Sequence, residues 1–329
     1  MGRHWLVYLH GIAPSPGPEE ARCAHLIQEF HDALTQRLHR IGARGRAVAE
    51  DLEPVVIHWG HVTARRGAPD TALSTAEAFL SAMTDADRRR QRVDRGAIPA
   101  ATWLIRRRLA RPLRQMLVEG LGDLVYYTAP EGERAIRTTL YRQLFNAWPF
   151  RQDTLSAEPM TLSVVAHSAG AVLAFDLLYE LFCPTTRRQG RRAPAIAHDD
   201  RRWGRIAKRL RSARERVRRG TLTLQTVATL GSFLPIFFLR RQHLVDRLAG
   251  RRRLTADIIG LRGQGRWVNV WDYDDLVAFP IAGLFRDPEH RIQDLQVDTG
   301  DWMASAHAGY WRHPEVLDAV AGALARSKA

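Results

Sequence analysis

The sequence predicts an α/β fold: a doubly wound, mostly parallel sheet with helices on both faces and basic helical insertions. Short apolar runs alternate with longer segments whose apolar residues recur at helical spacing. This alternation favours a parallel sheet, because parallel strands need long crossover connections that are usually helical. The 329 residues, 45% hydrophobic and 26% charged, have a globular composition. No repeat or linker divides them, so we expect one domain over residues 1–329, with the insertions at about 75–118 and 185–254.

Each predicted element follows from the spacing of its apolar residues. A short apolar run bounded by turn-forming residues indicates a buried strand, and apolar residues at every third or fourth position indicate a helix. The predicted strands are residues 5–9, 54–59, 124–127, 162–166, 222–230, 267–271 and 294–297. The predicted helices are residues 19–41, 75–92, 103–117, 131–145, 172–182, 206–217 and 314–325. The segments 58–72, 185–202 and 301–310 are predicted as loops.

The formal net charge of +14 is unevenly distributed. Residues 88–114, 187–219 and 240–253 together carry +25, which leaves −11 for the rest of the chain. Basic segments on an acidic body favour peripheral contact with an anionic membrane. The alternative is that arginine merely occupies solvated helix faces. Nucleic acid is not expected as a partner, because aromatic side chains are not interleaved with the arginine runs for base stacking.

The chain offers little for metal or cofactor chemistry. The two cysteines, Cys23 and Cys183, are not in a metal-ligand spacing, and His58 and His61 have no third ligand close by. We therefore expect no metal and no organic cofactor. No signal peptide precedes the first predicted strand, and no apolar run reaches the roughly 18–20 residues of a membrane-spanning helix. These features predict a cytoplasmic protein, with membrane contact at most peripheral.

The stretch from 162 to 182 carries the strongest chemical signal. A buried strand ends at Ala166, the polar pair His167 and Ser168 follows, and Ala169 and Gly170 lead into a helix. In a nucleophile elbow the serine projects from a sharp turn between strand and helix, and its flanking residues must be small to avoid collisions. The alternative is a serine that caps a helix amino terminus.

A nucleophilic serine needs a base, and the base needs an orienting carboxylate. In a doubly wound sheet such groups lie beyond the carboxyl ends of the strands. Downstream of the elbow, the candidate carboxylates are Asp272, Asp274 and Asp275, which directly follow a strand, and the candidate histidines are His290, His307 and His313. His307 stands among small residues and can therefore approach a serine closely. The alternative for the carboxylates is an ordinary Asp-rich turn.

Attack by a serine creates an oxyanion, which two backbone N–H groups usually stabilise. Ala169, directly after the serine, would supply one of them. Ile12, in the loop after the first predicted strand, would supply the other. His10 and Gly11 end that strand, and glycine permits a close approach of the backbone.

Five short motifs carry a resemblance to a known family. They are Leu-Val-Tyr-Leu-His10-Gly11, Ala-His167-Ser168-Ala-Gly170, Thr229-Leu-Gly-Ser232, Asp275-Leu-Val-Ala278, and Ser305-Ala-His307 followed by Tyr310-Trp311. Together they resemble the α/β-hydrolase superfamily, in its serine lipase and esterase branch. The sequence departs from the family at three positions. Ala166 replaces the first elbow glycine, Leu276 the proline after the acid, and Phe233 the proline after Gly-Ser.

The resemblance implies an activity and a set of site residues. Ser168 would be the nucleophile, His307 the base and Asp275 the acid, with Asp274 as the alternative acid. Ile12 and Ala169 would form the oxyanion hole. The remaining motif residues, His10, Gly11, His167 and Gly170, would support the elbow and the oxyanion loop. The implied reaction is hydrolysis of a carboxylic ester through an acyl-enzyme.

Residues 233–239 bear on the substrate, because this apolar segment follows a strand and lies between two basic segments. Phe233, Phe237 and Phe238 are candidates for an acyl-binding wall or lid, and the alternative is core packing. An apolar patch ringed by arginine favours a lipase or phospholipase-like esterase that docks on anionic lipid. Two other functions stay open: a carboxylesterase for small soluble esters, and a non-catalytic hydrolase-fold module that binds anionic partners.

Overall fold

The computed structural model describes residues 3–11, 18–59, 126–147, 158–183, 201–232, 234–238, 254–255, 259–261, 263–300 and 303–326. The helices predicted at 75–92 and 103–117 lie outside these residues, and so does most of the loop predicted at 185–202. Among the described residues, no helix is both long enough and apolar enough to cross a membrane.

Six strands form one sheet, and all of the pairings between them are parallel within the described ranges. In chain order they are β1 (Arg3–Leu9), β2 (Leu52–Ile57), β3 (Met160–His167), β4 (Leu222–Leu230), β6 (Arg266–Trp271) and β8 (Ile292–Gln296). Across the sheet the order is β2-β1-β3-β4-β6-β8. Two short strands, β5 (Leu254–Thr255) and β7 (Phe285–Arg286), form a separate parallel pair. The predicted α/β class with a parallel sheet is therefore confirmed.

Helices connect the strands. They are α1 (Pro18–Arg40), α2 (Ala43–Asp51), α3 (Pro130–Ala147), α4 (Ala169–Phe182), α5 (Arg201–Arg219), α6 (Leu234–Phe238), α7 (Met303–Gly309) and α8 (Pro314–Arg326). Two short 3₁₀ helices cover Ala282–Leu284 and Tyr310–Arg312.

The alternating side chains of β1 show that both faces of the sheet are covered, since successive side chains of a strand point to opposite faces. Trp5, Val7 and Leu9 lie in one hydrophobic core with apolar residues of α3, α4 and α5. Leu6 and Tyr8 lie in a second core with apolar residues of α1, α2 and α8. Helices therefore pack against both faces of the sheet, as the sequence predicts.

Strand β1 lies where the strand order reverses. The chain goes from β1 to β2 on one side, and the next strand of the sheet, β3, pairs with β1 on the other side. Such a reversal leaves a crevice beyond the carboxyl ends of the two central strands, and ligands commonly bind there. Leu9 of β1 pairs with Ala166 of β3, so the residues that follow these strands begin side by side.

Two predictions of secondary structure are wrong. In the predicted strand 124–127, Tyr126 and Tyr127 lie in a helical turn, where the buried Tyr127 hydroxyl donates a 2.6 Å hydrogen bond to Asp176 of α4. This tertiary contact outweighs the strand preference of aromatic residues. The predicted loop 301–310 contains α7 and the start of a 3₁₀ helix. Its methionine and alanines are strong helix formers, and the loop prediction considered only their small size.

Candidate active site

Ser168 lies at the sharp turn between β3 and α4. Its backbone has φ 54° and ψ −128°, and positive φ is uncommon for a residue other than glycine. Such a conformation costs about 1–3 kcal/mol and persists only where the surroundings impose it. One such constraint is the hydrogen bond from the Ser168 N–H to the Leu230 carbonyl, at 2.9 Å. The strained backbone distinguishes this serine from an ordinary helix cap.

Two glycines make room for this turn. A Cβ on Gly170 would lie 2.4 Å from the Leu9 carbonyl oxygen and 2.5 Å from that of His10, both at the end of β1. A Cβ on Gly11 would lie 2.7 Å from Ser168 Cβ. Neither position can hold a larger residue without moving the backbone, so these glycines allow the ends of β1 and β3 to meet at the serine.

The structure brings Ser168, His307 and Asp275 together. His307 Nε2 lies 2.8 Å from Ser168 Oγ, and His307 Nδ1 lies 2.9 Å from Asp275 Oδ2. The carboxylate accepts a hydrogen bond from the Nδ1–H group, so Nδ1 carries the hydrogen and Nε2 is free to accept the serine proton. His307 projects from α7, whereas the other two residues follow β3 and β6.

Asp275 is 1% exposed, and three donors surround its carboxylate. Besides His307, the Tyr310 hydroxyl donates to Oδ2 at 2.9 Å, and the Val277 N–H donates to Oδ1 at 3.2 Å. Burial and the nearby negative charge of Asp275 raise the pKa of the Tyr310 hydroxyl, which therefore stays a donor. Together these donors fix the plane of the carboxylate.

The other two carboxylates of this turn are placed differently. Asp274 is exposed, and its N–H donates to Asp272 Oδ1 at 2.8 Å. Asp272 Oδ2 lies 2.5 Å from the N–H nitrogen of Thr299 and 2.6 Å from its hydroxyl oxygen. Burial raises the pKa of Asp272, but the hydrogen bonds from Thr299 and Asp274 outweigh burial and leave the pKa lowered. Asp275, and not Asp274, faces His307.

Thr299 connects Asp272 to the helix that carries His307. The Thr299 hydroxyl oxygen lies 2.7 Å from the Ala306 carbonyl oxygen, and a Cβ on Gly309 would lie 2.6 Å from the Thr299 carbonyl oxygen. Sequence reasoning missed Thr299, because nothing local in the chain links it to α7. The available signal is the place of Thr299 in the sequence, as a polar residue between strand β8 and His307.

Two buried histidines flank the elbow, and both are uncharged near neutral pH. Burial lowers the pKa of His10 to about 4 and that of His167 to about 3. His10 Nδ1 lies 2.6 Å from the Gly11 carbonyl oxygen, and the His10 carbonyl accepts the Trp59 indole N–H at 2.9 Å. His10 therefore fixes the backbone at the start of the predicted oxyanion loop.

The remaining predicted site residues are Ile12, Ala169, Phe233, Phe237 and Phe238. Ile12 and Phe233 lie outside the described residues. Ala169 is the first residue of α4, and the first N–H groups of a helix have no partner within it. This position suits an oxyanion donor. Phe238 is 1% exposed with its ring centroid 4.8 Å from that of Phe175, so it is packed in the core, while Phe237 is partly buried against the same core.

A second serine–histidine pair lies inside the sheet, on the two central strands β1 and β3. His4 Nε2 lies 2.8 Å from Ser163 Oγ, which also accepts the Thr226 N–H at 3.2 Å. Both side chains are almost fully buried within β1 and β3, at a shift in the pairing of β3 with β4. This pair satisfies buried polar groups inside the sheet.

Several arginines of the second basic segment bind acceptors within the protein. Arg214 of α5 donates to the carbonyl and carboxylate oxygens of Glu180, at 2.9 and 3.1 Å. Arg216 donates to the Glu158 carbonyl at 2.7 Å, and Arg209 to the Phe145 carbonyl at 3.3 Å. These hydrogen bonds attach α5 to neighbouring elements.

The site therefore combines a strained serine, a histidine within hydrogen-bond distance, a buried carboxylate and a helix amino terminus. Such a set can move a proton from a hydroxyl to an imidazole while a nearby N–H stabilises the negative charge that develops.

No protein-family model, curated protein or solved structure matches this chain. Within the described ranges, no three metal-ligating side chains are grouped so as to hold a metal ion.

Proposed function

We propose that this chain is a serine hydrolase with an α/β-hydrolase fold, which cleaves carboxylic esters through an acyl-enzyme. The observation that carries the proposal is the continuous chain of hydrogen bonds from Ser168 through His307 to the buried Asp275. A distance of 2.8 Å from Oγ to Nε2 suits proton transfer without movement of either side chain. Chance proximity explains neither the strained φ of the serine nor the orienting carboxylate.

The proposed reaction has two halves. Ser168 Oγ attacks the ester carbonyl carbon while its proton passes to His307 Nε2, and Asp275 stabilises the imidazolium that forms. The tetrahedral intermediate collapses, and the leaving alcohol takes the proton from Nε2. A water molecule then attacks the acyl-enzyme with His307 as base, which releases the carboxylic acid and restores the Ser168 hydroxyl.

The Ala169 N–H, at the start of α4, is the proposed first donor to the oxyanion. The proposed second donor is the N–H of Ile12, the residue directly after Gly11 in the sequence. The contact that a Cβ on Gly11 would make with Ser168 supports this placement, because it brings the end of β1 against the nucleophile. His10, His167 and Gly170 would act in support of this arrangement.

Two substrate classes stay candidates. A lipid-like ester with docking on an anionic membrane follows from the arginine-rich segments around 233–239. The small soluble ester is favoured by two observations: Phe238 is packed in the core, and Arg209, Arg214 and Arg216 bind protein acceptors. Turnover of p-nitrophenyl esters from acetate to palmitate separates the two, together with flotation on neutral and anionic vesicles.

Labelling with a fluorophosphonate probe tests the proposed activity directly. We expect one label per wild-type chain and none in Ser168→Ala. The matched control is Ser163→Ala, because Ser163 also lies 2.8 Å from a histidine nitrogen but is buried in the sheet. This control should label like the wild type, with circular dichroism to verify folding. Full labelling of folded Ser168→Ala would refute the proposal.

A further inference from the structure

His167 joins three segments of the candidate site through one imidazole. It ends β3, directly before Ser168, and its Nε2 lies 2.7 Å from the backbone carbonyl oxygen of His307. Its ring centroid lies 4.8 Å from that of His307. On the other side, a Cβ on Gly11 would lie 3.3 Å from His167 Nδ1. The elbow, the base and the end of β1 therefore all meet at this side chain.

From this geometry we propose that His167 is a positioning residue that holds His307 in register with Ser168. The inference rests on the proposed function, in which His307 is the base. No described contact gives His167 a role in the proton transfer itself. Its hydrogen bond connects the residue next to the nucleophile to the backbone of the base, across 140 positions of sequence.

The tautomer of His167 follows from its partner. A carbonyl oxygen only accepts hydrogen bonds, so Nε2 of His167 must carry the hydrogen and donate it. The burial that lowers the pKa of His167 to about 3 keeps the ring neutral, with Nδ1 unprotonated. A charged ring at this distance would oppose the imidazolium that forms on His307 during the reaction. A neutral donor therefore orients the base without weakening it.

The hydrogen bond from His167 acts on a short helix, α7. This helix has seven residues, and His307 stands near its carboxyl end, where carbonyl groups run out of helical partners. Thr299 contacts the carbonyl of Ala306, and His167 binds that of His307. A displacement of about 1 Å in a catalytic group can cost roughly a hundredfold in rate. The rate should therefore be sensitive to the position of the His307 backbone.

A pair of substitutions at His167 separates the hydrogen bond from the packing. His167→Phe keeps a ring of similar size but has no donor, and we expect kcat to fall about tenfold to a hundredfold with KM within about twofold. His167→Gln has an amide that can place an N–H near the Nε2 position, and it should recover most of the lost kcat. A purely structural role predicts a different pattern: the loss of kcat follows the loss of thermal stability, and His167→Gln does not recover kcat.

The control is His4→Phe, because His4 is also a buried histidine hydrogen-bonded between strands, but it lies near the amino-terminal end of β1, away from the site. We expect it to lower the melting temperature and leave kcat per folded chain unchanged. Equal losses of kcat in His4→Phe and His167→Phe would overturn the positioning role.

A spectroscopic readout keeps this inference separate from the proposed activity. The His307 Nδ1 proton shared with Asp275 should give a downfield proton resonance in the wild type. We expect this resonance to shift or broaden in His167→Phe and to return in His167→Gln. If the wild type hydrolyses no ester and takes no label, the proposed function fails, and the resonance still tests whether His167 sets the position of His307. An unchanged resonance in His167→Phe would refute that claim.

Discussion

Gly231 and Tyr310 face each other so closely that a Cβ at position 231 would lie 2.5 Å from Tyr310 Cε2. The same Cβ would lie 3.0 Å from Asp275 Oδ2, the oxygen that binds both Tyr310 and His307. The backbone of Gly231 has φ 55°, a conformation that favours glycine. The end of β4 is thus shaped around Asp275 and its partner Tyr310.

Replacement of Gly231 by alanine should displace Tyr310 and Asp275. We expect a loss of about 1–3 kcal/mol in the free energy of unfolding from overpacking, and at least about a tenfold fall in kcat, since the acid no longer orients His307. Urea unfolding and ester hydrolysis measure the two effects. Gly220→Ala is the control, because Gly220 has φ 73° but open space around its Cβ position. It should lose stability through strain alone and keep its kcat.

Substitution of the two neighbouring aspartates decides which one is the acid. Asp275→Asn should lower kcat by about 10³–10⁴, because the amide cannot stabilise the imidazolium and favours the wrong tautomer of His307. Asp274→Asn should stay within about twofold of the wild type, because Asp274 is exposed and its N–H, which the substitution keeps, donates within the turn. Steady-state hydrolysis of one soluble ester compares them. A larger loss in Asp274→Asn would reverse the assignment.

The stability of the fold should depend on the buried histidine His10. Its pKa in the folded chain is about 4, against an ordinary value of 6.5. Between these values the unfolded chain binds a proton that the folded chain does not, so stability is complete above pH 6.5 and is lost as the pH falls towards 4. For His10 alone the loss reaches about 3 kcal/mol at pH 4.

The variant His10→Asn isolates this effect, because its amide can still donate to the Gly11 carbonyl but does not titrate. We expect the free energy of unfolding to fall less steeply in this variant than in the wild type between pH 6.5 and 4. Urea titrations at several pH values give both curves. His39→Asn, at an exposed position of α1, serves as the control. Parallel curves for wild type and His10→Asn would contradict the prediction.

The parts of the site that sequence reasoning located are those with a local signature. The elbow at Ser168 is visible because strand, turn and helix are consecutive and the steric demand for small residues falls on its immediate neighbours. Gly11 is visible for a similar reason, at the end of an apolar run. The choice of Asp275 over Asp274 came from a family resemblance, since both follow the same strand and spacing alone does not separate them.

The parts that it missed depend on contacts between distant segments. Thr299 is recognisable only once Asp272 and Ala306 lie beside it. The steric role of Gly231 requires the position of Tyr310, which is known only from the fold. The small side chains around His307 lead to the prediction of a loop, although the same residues favour a helix. Local pattern therefore predicts the candidate residues, and tertiary packing determines how they are arranged.

The buried pair of Ser163 and His4 has a practical consequence for mapping the proposed reactive serine. Its Oγ–Nε2 distance of 2.8 Å equals that of Ser168 and His307, so distance alone does not distinguish the two pairs. Ser163 lies on β3 and Ser168 directly follows it, and no arginine or lysine occurs from residue 152 to residue 186. Trypsin therefore releases them on one peptide, whose total mass is the same whichever serine is modified. Only fragment ions from cleavage of the backbone between Ser163 and Ser168 can assign the adduct to one of these two serines.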